Sequence, residues 1–545
     1  MTVDPPARWI YLGLAALVVI VWFAVLPLRP LFNPDEGRYA EIPREMLDSG
    51  DWIIPHLNGL AYIEKPPLQY WATAAALRVF GLGEFGARFY TALCALATLV
   101  VVWVTAEGLW QSAAALRATA GLAGMVLFVV LGQLLTLDMS LTFYMTLSLG
   151  GFLLAQRRGP PGERRWMLIA WIATGLGVLT KGLVAAAIPA AALVLYSLYS
   201  RDFTPWRRLH LPLGLALFLA ITVPWHWLAA QRLPDFLQFF FVHEHVARYL
   251  TPSADREEAW WFFAAVFVLG SIPWLPAALH AVAVGWRRRT PRGEFDPHLF
   301  LWIWVVFILL FFSLSDSKLI PYILPAMPAL ALLIAARPAD ARRGDVLVSA
   351  LGTLLAAVAL LAASFYGPRM MTPTDRSPYF ALLARPLAEI AALLAISAVW
   401  VLIKGRRDAT RGVVFLGVGW CLAGLLLMRA ATAVAPIYSG AGLARALEGV
   451  PRDQSIYSIG TYDQTLPFYW RHPFKLVAYR GELDFGLRQD PQREIPTLSA
   501  FLEEWRGGTT GYAVMENTMF QALESQGVPM REIARDVHRV LVARH

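Results

Sequence analysis

The chain has 545 residues, 57% of them hydrophobic and only 16% charged, and its mean hydropathy is +0.51. A soluble fold of that length needs far more charge to cover its surface, so the composition places the chain mainly in lipid and excludes disorder, a collagen-like repeat and a disulfide scaffold. The net charge of +8 does not indicate nucleic acid, because the basic residues fall in short connections between apolar runs.

The first apolar run, residues 9–28, has no small-residue cleavage site after it and reads as an uncleaved first span. An outside loop follows over residues 33–65, with a helix expected over 36–47. Residues 66–80 are apolar but number only about 15, roughly 22 Å as a helix. This stretch carries Gln69, Thr73 and Arg78 and begins near Tyr70 and Trp71, so it reads as a helix lying in the interface. Were it a span, Asp35 and Asp138 would face opposite sides of the membrane. Further runs long enough to cross centre near Leu99, Leu127, Leu147, Ile172, Leu193, Leu217, Val268, Ile308, Leu330, Leu355, Leu394 and Gly419. With the first they make about thirteen candidate spans. Cys94 and Cys421 both lie inside such runs, without a metal-ligand pattern, and read as packing residues.

Orientation follows from five basic connections. They carry Arg157, Arg158, Arg164 and Arg165; Arg201, Arg207 and Arg208; Arg287, Arg288, Arg289 and Arg292; Arg337, Arg342 and Arg343; and Lys404, Arg406, Arg407 and Arg411. These alternate with less basic connections, so all five can be cytoplasmic at once. The stretches around Asp138, Lys181, 243–256, 315–318 and 366–386, and the tail after about residue 435, are then outside. In the tail the charge rises and long apolar runs stop. Residues 456–459, 475–479 and 511–515 read as strands, and 441–448, 498–505 and 518–526 as helices. The expected fold is a polytopic α-helical membrane protein over residues 1–436, with an outside first loop at 29–86 and a small α/β domain at 437–545. No internal repeat marks two inverted halves.

The candidate chemistry sits at the outside ends of the spans. Asn33-Pro34-Asp35-Glu36 places two acids just beyond the first span. They serve either as a solvated helix start or as carboxylates aimed at a sugar hydroxyl, a sugar ammonium or a metal. Glu64-Lys65-Pro66-Pro67 pins a lysine at headgroup depth, where a cation suits a lipid phosphate or simply snorkels. Asp138, with apolar neighbours, is costly at the membrane edge unless paired, functional or capping the next helix, and Lys181 repeats the pattern with opposite sign. His243-Glu244-His245 is followed by Arg248. On a helix the two imidazoles of an HxH pair point about 200° apart, so one of them pairing with Glu64 on a metal or phosphate is the workable arrangement. Lys318 leads into Pro321, Tyr322, Pro325 and Pro328, a proline-broken segment that either lines a cavity or is a kinked helix. Together, acids at 35, 36, 64 and 138 and bases at 65, 181, 248 and 318 support a lipid-phosphate site.

The order of these motifs resembles the GT-C superfamily of polyprenyl-phosphate-sugar-dependent glycosyltransferases, in the branch related to protein O-mannosyltransferases. The motifs are an acidic Asn-Pro-Asp-Glu loop, a Glu-Lys-Pro-Pro-Leu helix, a second outside Asp and a Ser-Lys-Leu-x-x-Tyr-x-Leu-Pro segment. Within it the chain is most similar to the bacterial lipid A aminoarabinose transferases, over its whole length. The resemblance implies a GT-C transmembrane domain and a periplasmic α/β tail in a bacterial inner membrane, with the active site on the periplasmic side. It also implies inverting transfer of 4-amino-4-deoxy-L-arabinose from undecaprenyl phosphate to lipid A phosphates, and with it polymyxin and cationic peptide resistance. It carries catalytic roles to Asp35 and Asp138 and donor-phosphate contacts to Lys65, and Glu64 joins the two acids as a further catalytic candidate. Fixed cations at Arg248 and Lys318, with Tyr322, are expected to join Lys65 around the departing phosphate. No cofactor is required on this reading, and a divalent metal such as zinc has Glu64 and His245 as its candidate ligands. A monomer acting on lipid substrates, without nucleic acid, is expected.

Two other readings are set against this. One is a GT-C transferase with a protein or another glycan as acceptor. The other is a polyprenyl-lipid flippase or ion-coupled transporter, which would place its ionisable groups near the bilayer midplane.

Overall fold

The computed structural model describes residues 5–247, 258–287, 290–291, 294–337, 339–370, 376–405, 408–451, 454–508 and 511–544. It is a multi-pass helical membrane protein with an α/β domain at its C-terminal end. Seven described helices are long and apolar enough to cross a membrane: Trp9–Leu28, Glu84–Trp110, Leu137–Arg157, Leu211–Arg232, Arg342–Met370, Ser377–Ile403 and Ala409–Tyr438. The pair Ser112–Ala123 and Val126–Gly132, bent by 67°, makes an eighth if taken as one span.

Whole spans by this measure are fewer than the apolar runs expected, because several runs are broken or short. Ile272 and Pro273 divide Phe262–Gly270 from Leu275–Val284. Pro321 and Pro325 draw Ile320–Ala326 into a tight 3-10 stretch ahead of Met327–Ala335. Proline removes a backbone donor and clashes with the preceding turn, so an apolar run can continue where a helix cannot. Val184–Ser200 and Pro297–Ser313 are apolar but only 17 residues each, about 25 Å against roughly 30 Å of hydrocarbon. Cys94 and Cys421 are buried free thiols in the helical core, as packing residues should be.

Contacts sort the connections into two ends. At one end the basic connections meet. Arg208 reaches Gln156 O at 2.8 Å and Glu163 at 3.7 Å, Arg117 reaches Thr410 and Ala335 O, and Arg337 pairs with Asp345 at 3.0 Å. The loop after the first span, the start of Leu137–Arg157 and the end of Gly162–Lys181 gather at the other.

The first loop forms a helix at Asp35–Ser49, closed by Gly50 in the left-handed region at φ 71°. Its acidic first turn suits the positive end of the helix dipole. A short hairpin follows, His56–Leu57 against Leu60–Ala61, turned by Asn58 and Gly59, both at positive φ. That pair is the favoured two-residue hairpin turn. The helix Leu68–Phe80 has 13 residues, about 20 Å and too short to span. It packs on Asp35–Ser49 and on Glu84–Trp110.

The tail carries one six-stranded sheet in the order Glu494–Ile495, Lys475–Val477, Ile456–Ile459, Tyr512–Glu516, Arg539–Ala543, Arg531–Arg535. The first four strands are mutually parallel, Arg539–Ala543 runs antiparallel to Tyr512–Glu516, and the edge strand Arg531–Arg535 runs antiparallel to Arg539–Ala543. Helices Leu498–Gly507 and Asn517–Ser525 fall on the expected segments. The strand expected at 475–479 ends at Val477 because Ala478 takes φ 51°.

The tail is docked on the first loop by paired polar contacts. Asn58 exchanges hydrogen bonds with the Phe474 backbone at 2.8 and 2.6 Å. Asn33 N–H donates to Tyr438 O at 2.7 Å, and its side-chain oxygen accepts from Gln464 N–H at 3.0 Å. At Gly37 an added Cβ would lie 2.5 Å from the Gln464 carbonyl carbon, so only glycine permits this approach.

Candidate active site

The two adjacent acids after the first span have separate fates. Glu36 is 2% exposed. Its carboxylate accepts from Arg29 at 2.5 and 3.1 Å and from Arg88 at 2.7 and 2.9 Å. It also accepts the backbone N–H groups of Phe32 and Leu135, each at 3.0 Å. Burial raises the carboxyl's pKa, but the two guanidinium groups outweigh it and hold the group well below the usual carboxylate range. Arg88 spends its remaining N–H groups on Leu26 O, Arg29 O and Pro30 O, carbonyls at the end of the first span. Glu36 is therefore a structural hub. It ties the loop to the segment that leads into Leu137–Arg157, which places Asp35 and Asp138 at the same end of the bundle.

Asp35 opens the next helix with its side chain 41% exposed, and one oxygen accepts from Arg38 at 3.0 Å. Arg38 is buried and also pairs at 2.5 Å with Glu482, from the 3-10 turn Gly481–Leu483 of the tail. The other Glu482 oxygen accepts from Gln464 at 2.5 Å, and the Tyr62 hydroxyl approaches at 3.5 Å. Burial raises the Glu482 carboxyl, with Glu64 and Asp35 adding to the effect, while Arg38 and Gln464 oppose it.

Asp138, 6% exposed, forms an ion pair with Lys181. The Lys181 ammonium lies 4.7 Å from the Tyr322 ring centroid, a cation–π arrangement. Leu137–Arg157 packs along Ile320–Ala326, so the proline-broken segment forms one wall here. Lys318 is buried, and among the described residues its ammonium has no counter-ion or hydrogen-bond partner. Lys65 donates to Glu64 O and to the buried Glu244 carboxylate, both at 2.9 Å. Glu244 lies on the π-helix Gln238–Ala247.

Burial raises the pKa of the Tyr39 hydroxyl, and Asp35, Glu64 and Asp138 push it further. Tyr39 packs against Tyr70 with ring centroids 6.2 Å apart. The Tyr70 hydroxyl is buried with no hydrogen-bond partner among the described residues. The site thus offers carboxylates and phenols together with the cations of Lys65 and Lys181, and Lys318 lies four residues before Tyr322 in the chain. Such a site can hold an amino sugar while stabilising negative charge that develops on a phosphate.

The structure ties Asp35 to Arg38, pairs Lys65 with Glu244, and joins Tyr322 to Asp138 through Lys181. Arg248 lies outside the described residues, as does the side chain of His245, whose backbone is on the π-helix. Among the described residues no group of three or more His, Cys, Asp or Glu side chains is placed to hold a metal ion. Sequence reasoning missed Arg38, Tyr39, Glu244 and Glu482. Arg38 was within reach, since it lies three residues from Asp35 on the expected helix. Glu482 carries no sequence signal that points to the first loop.

Residues 8–240 match the family described as Dolichyl-phosphate-mannose-protein mannosyltransferase, and residues 443–544 match the Aminoarabinose transferase C-terminal domain. The undecaprenyl phosphate-alpha-4-amino-4-deoxy-L-arabinose arabinosyl transferase of Aeromonas salmonicida is 37% identical over 327 residues, 58% of this chain and 58% of its own length. The corresponding transferase 1 of Sodalis glossinidius is 39% identical over 374 residues, 65% of each. These matches span less than two thirds of either curated relative. The crystal structure of ArnT from Cupriavidus metallidurans bound to undecaprenyl phosphate aligns over 98% of both chains, with 34% identity and a TM-score of 0.90. With a solved relative matched end to end above 30% identity, the chain belongs to the undecaprenyl phosphate-aminoarabinose arabinosyl transferase family of the GT-C superfamily.

Proposed function

We propose that this chain transfers 4-amino-4-deoxy-L-arabinose from undecaprenyl phosphate to a phosphate of lipid A, with inversion, at the periplasmic face of a bacterial inner membrane. Polymyxin and cationic peptide resistance would follow. The observation that carries the reading is the half-open Asp35 on the loop helix, held by Arg38, at the same end of the helical bundle as the buried Asp138–Lys181 pair and Tyr322. The end-to-end likeness to ArnT bound to undecaprenyl phosphate supports it.

In this mechanism an oxygen of the acceptor phosphate attacks the anomeric carbon, and the bond from that carbon to the donor phosphate oxygen breaks. The donor leaves as undecaprenyl phosphate, turning from a diester into a monoester and gaining negative charge. Lys65 and Lys318 stabilise that charge more in the transition state than in the ground state. Lys65 must first exchange Glu244 for the donor phosphate. Positive charge builds on the sugar ring as the bond breaks, and the nearby carboxylates stabilise it.

The acceptor phosphate needs no general base, because its second pKa is about 6 and it is already anionic. A carboxylate serves it better by holding the sugar ammonium. Asp138 is committed to Lys181, whereas Asp35 is half-open with one oxygen on Arg38. Asp35 therefore takes the ammonium. No step is routed through a metal, and chelation of the purified enzyme should leave transfer within about twofold of the untreated rate.

The test is purified enzyme with labelled donor, offered lipid A and a Ser/Thr-rich peptide in separate reactions. Mass spectrometry is expected to show an added pentosamine on a lipid A phosphate. Transfer to the peptide alone would replace this reading with a protein acceptor. Rescue of Asp35→Asn at high pH, with donor binding unchanged, would remove the ammonium-holding role from Asp35.

A further inference from the structure

We infer that Glu482 of the C-terminal domain is a positioning residue for the reaction, setting the charge that Asp35 presents to substrate through the shared guanidinium of Arg38. The tail then completes the active site instead of merely covering it. This rests on the reading that Asp35 binds the amino sugar.

Arg38 stands between the two carboxylates, 3.0 Å from Asp35 and 2.5 Å from Glu482. Arg38 is buried and Glu482 largely so, and their contact is screened less than a surface pair, while Asp35 remains open to solvent. The two acids are not equivalent. Asp35 keeps one oxygen free and is half-open, whereas Glu482 is closed in by Arg38, Gln464 and Tyr62. A cation shared this way has part of its charge drawn away from Asp35. Remove the Glu482 charge and Arg38 compensates Asp35 in full, which weakens the pull of Asp35 on an ammonium.

The backbone holds this relay in register. Gln464, which fixes Glu482, also donates its backbone N–H to Asn33, two residues before Asp35. The same segment of the tail lies on Gly37, between Asp35 and Arg38, too close for any other side chain. Tyr62, whose hydroxyl approaches Glu482, comes two residues before Glu64. The tail thus touches the loop on both sides of its carboxylates.

The experiment measures donor KM and kcat of the full-length enzyme with undecaprenyl phosphate-aminoarabinose and lipid A, in Glu482→Gln, Asp35→Asn and the double variant. Glu482→Gln is expected to raise donor KM about tenfold, the scale of a charge-assisted contact, with kcat within about twofold even though breaking the buried pair with Arg38 lowers the unfolding temperature. In the Asp35→Asn background the same substitution should add nothing to donor KM. Exposed Glu532→Gln on the far edge of the sheet should leave both constants unchanged. The inference is overturned by a normal donor KM in Glu482→Gln, by an equal KM rise in the Asp35→Asn background, or by a loss of kcat together with unfolding temperature. Should Glu482→Gln not fold, Glu482→Asp, which keeps the charge but withdraws it by one methylene, must show an intermediate KM, and a normal one overturns the inference. Normal kinetics in Asp35→Asn would bring down the Asp35 reading as well. Crippled Asp35→Asn beside a normal Glu482→Gln would bring down the Glu482 inference alone.

Discussion

Glu36 and Lys318 are buried charges of opposite kinds. Glu36 is surrounded by donors, so Glu36→Gln leaves two guanidinium groups around a neutral amide. Breaking a buried pair this way costs about 3–5 kcal/mol, more than the ~1 kcal/mol of an ordinary hydrogen bond. Denaturant unfolding in detergent should show the larger figure. The folded-state pKa of Glu36 is depressed, so its stabilisation is complete above the ordinary glutamate value of about 4.3 and is lost as pH falls below it. The stability gap between the parent and Glu36→Gln should therefore be constant near neutral pH and shrink in acid. Lys318 lacks a counter-ion among the described residues. Lys318→Met should then be at least as stable as the parent, while kcat falls by about tenfold or more. A variant that loses stability along with activity would make Lys318 structural. Asp35 and Lys65 were legible because charge beside an apolar run is conspicuous. The division of labour between Asp35 and Glu36 was not, since two adjacent acids look alike until the fold turns one of them inward.

Among the elements, the helix Asp35–Ser49 matters for what it lies against. Gly37→Ala should gain about 1 kcal/mol of helix propensity, yet the new methyl meets the Gln464 backbone, and overpacking costs about 1–3 kcal/mol. Because the neighbour is main chain and cannot swing aside, the cost should win. The tail should become more protease-sensitive and the unfolding temperature should drop. Increased stability would mean that the interface yields easily. The helix itself was readable from its acidic start. The hairpin carried a clear signal in Asn58-Gly59, which went unused, and Asn58 also serves as the socket for Phe474. Of the tail strands, Ile456–Ile459, Lys475–Val477 and Tyr512–Glu516 were readable, while the apolar Arg539–Ala543 and the two-residue Glu494–Ile495 went unread. Arg531–Arg535 was not readable, because an edge strand carries charge on its open side. The bent and proline-split helices looked like full spans, since hydropathy measures partition into lipid and is blind to a missing backbone N–H.

For the whole molecule, the alternation of basic and less basic connections predicts the two ends that the contacts separate, and every candidate site residue whose side chain is described lies at the less basic end. The central claim is that this end faces the periplasm, with Asp35 in a water-filled site above the membrane. Cys94 and Cys421 are buried, so a single introduced thiol can report its own side. The decisive measurement is labelling by a membrane-impermeant maleimide in intact spheroplasts, with Ser49→Cys at the end of the Asp35 helix and Arg158→Cys in a basic connection, both exposed positions. The account predicts that Ser49→Cys reacts before lysis and Arg158→Cys only after it. The opposite pattern would place Asp35 in the cytosol and contradict the account.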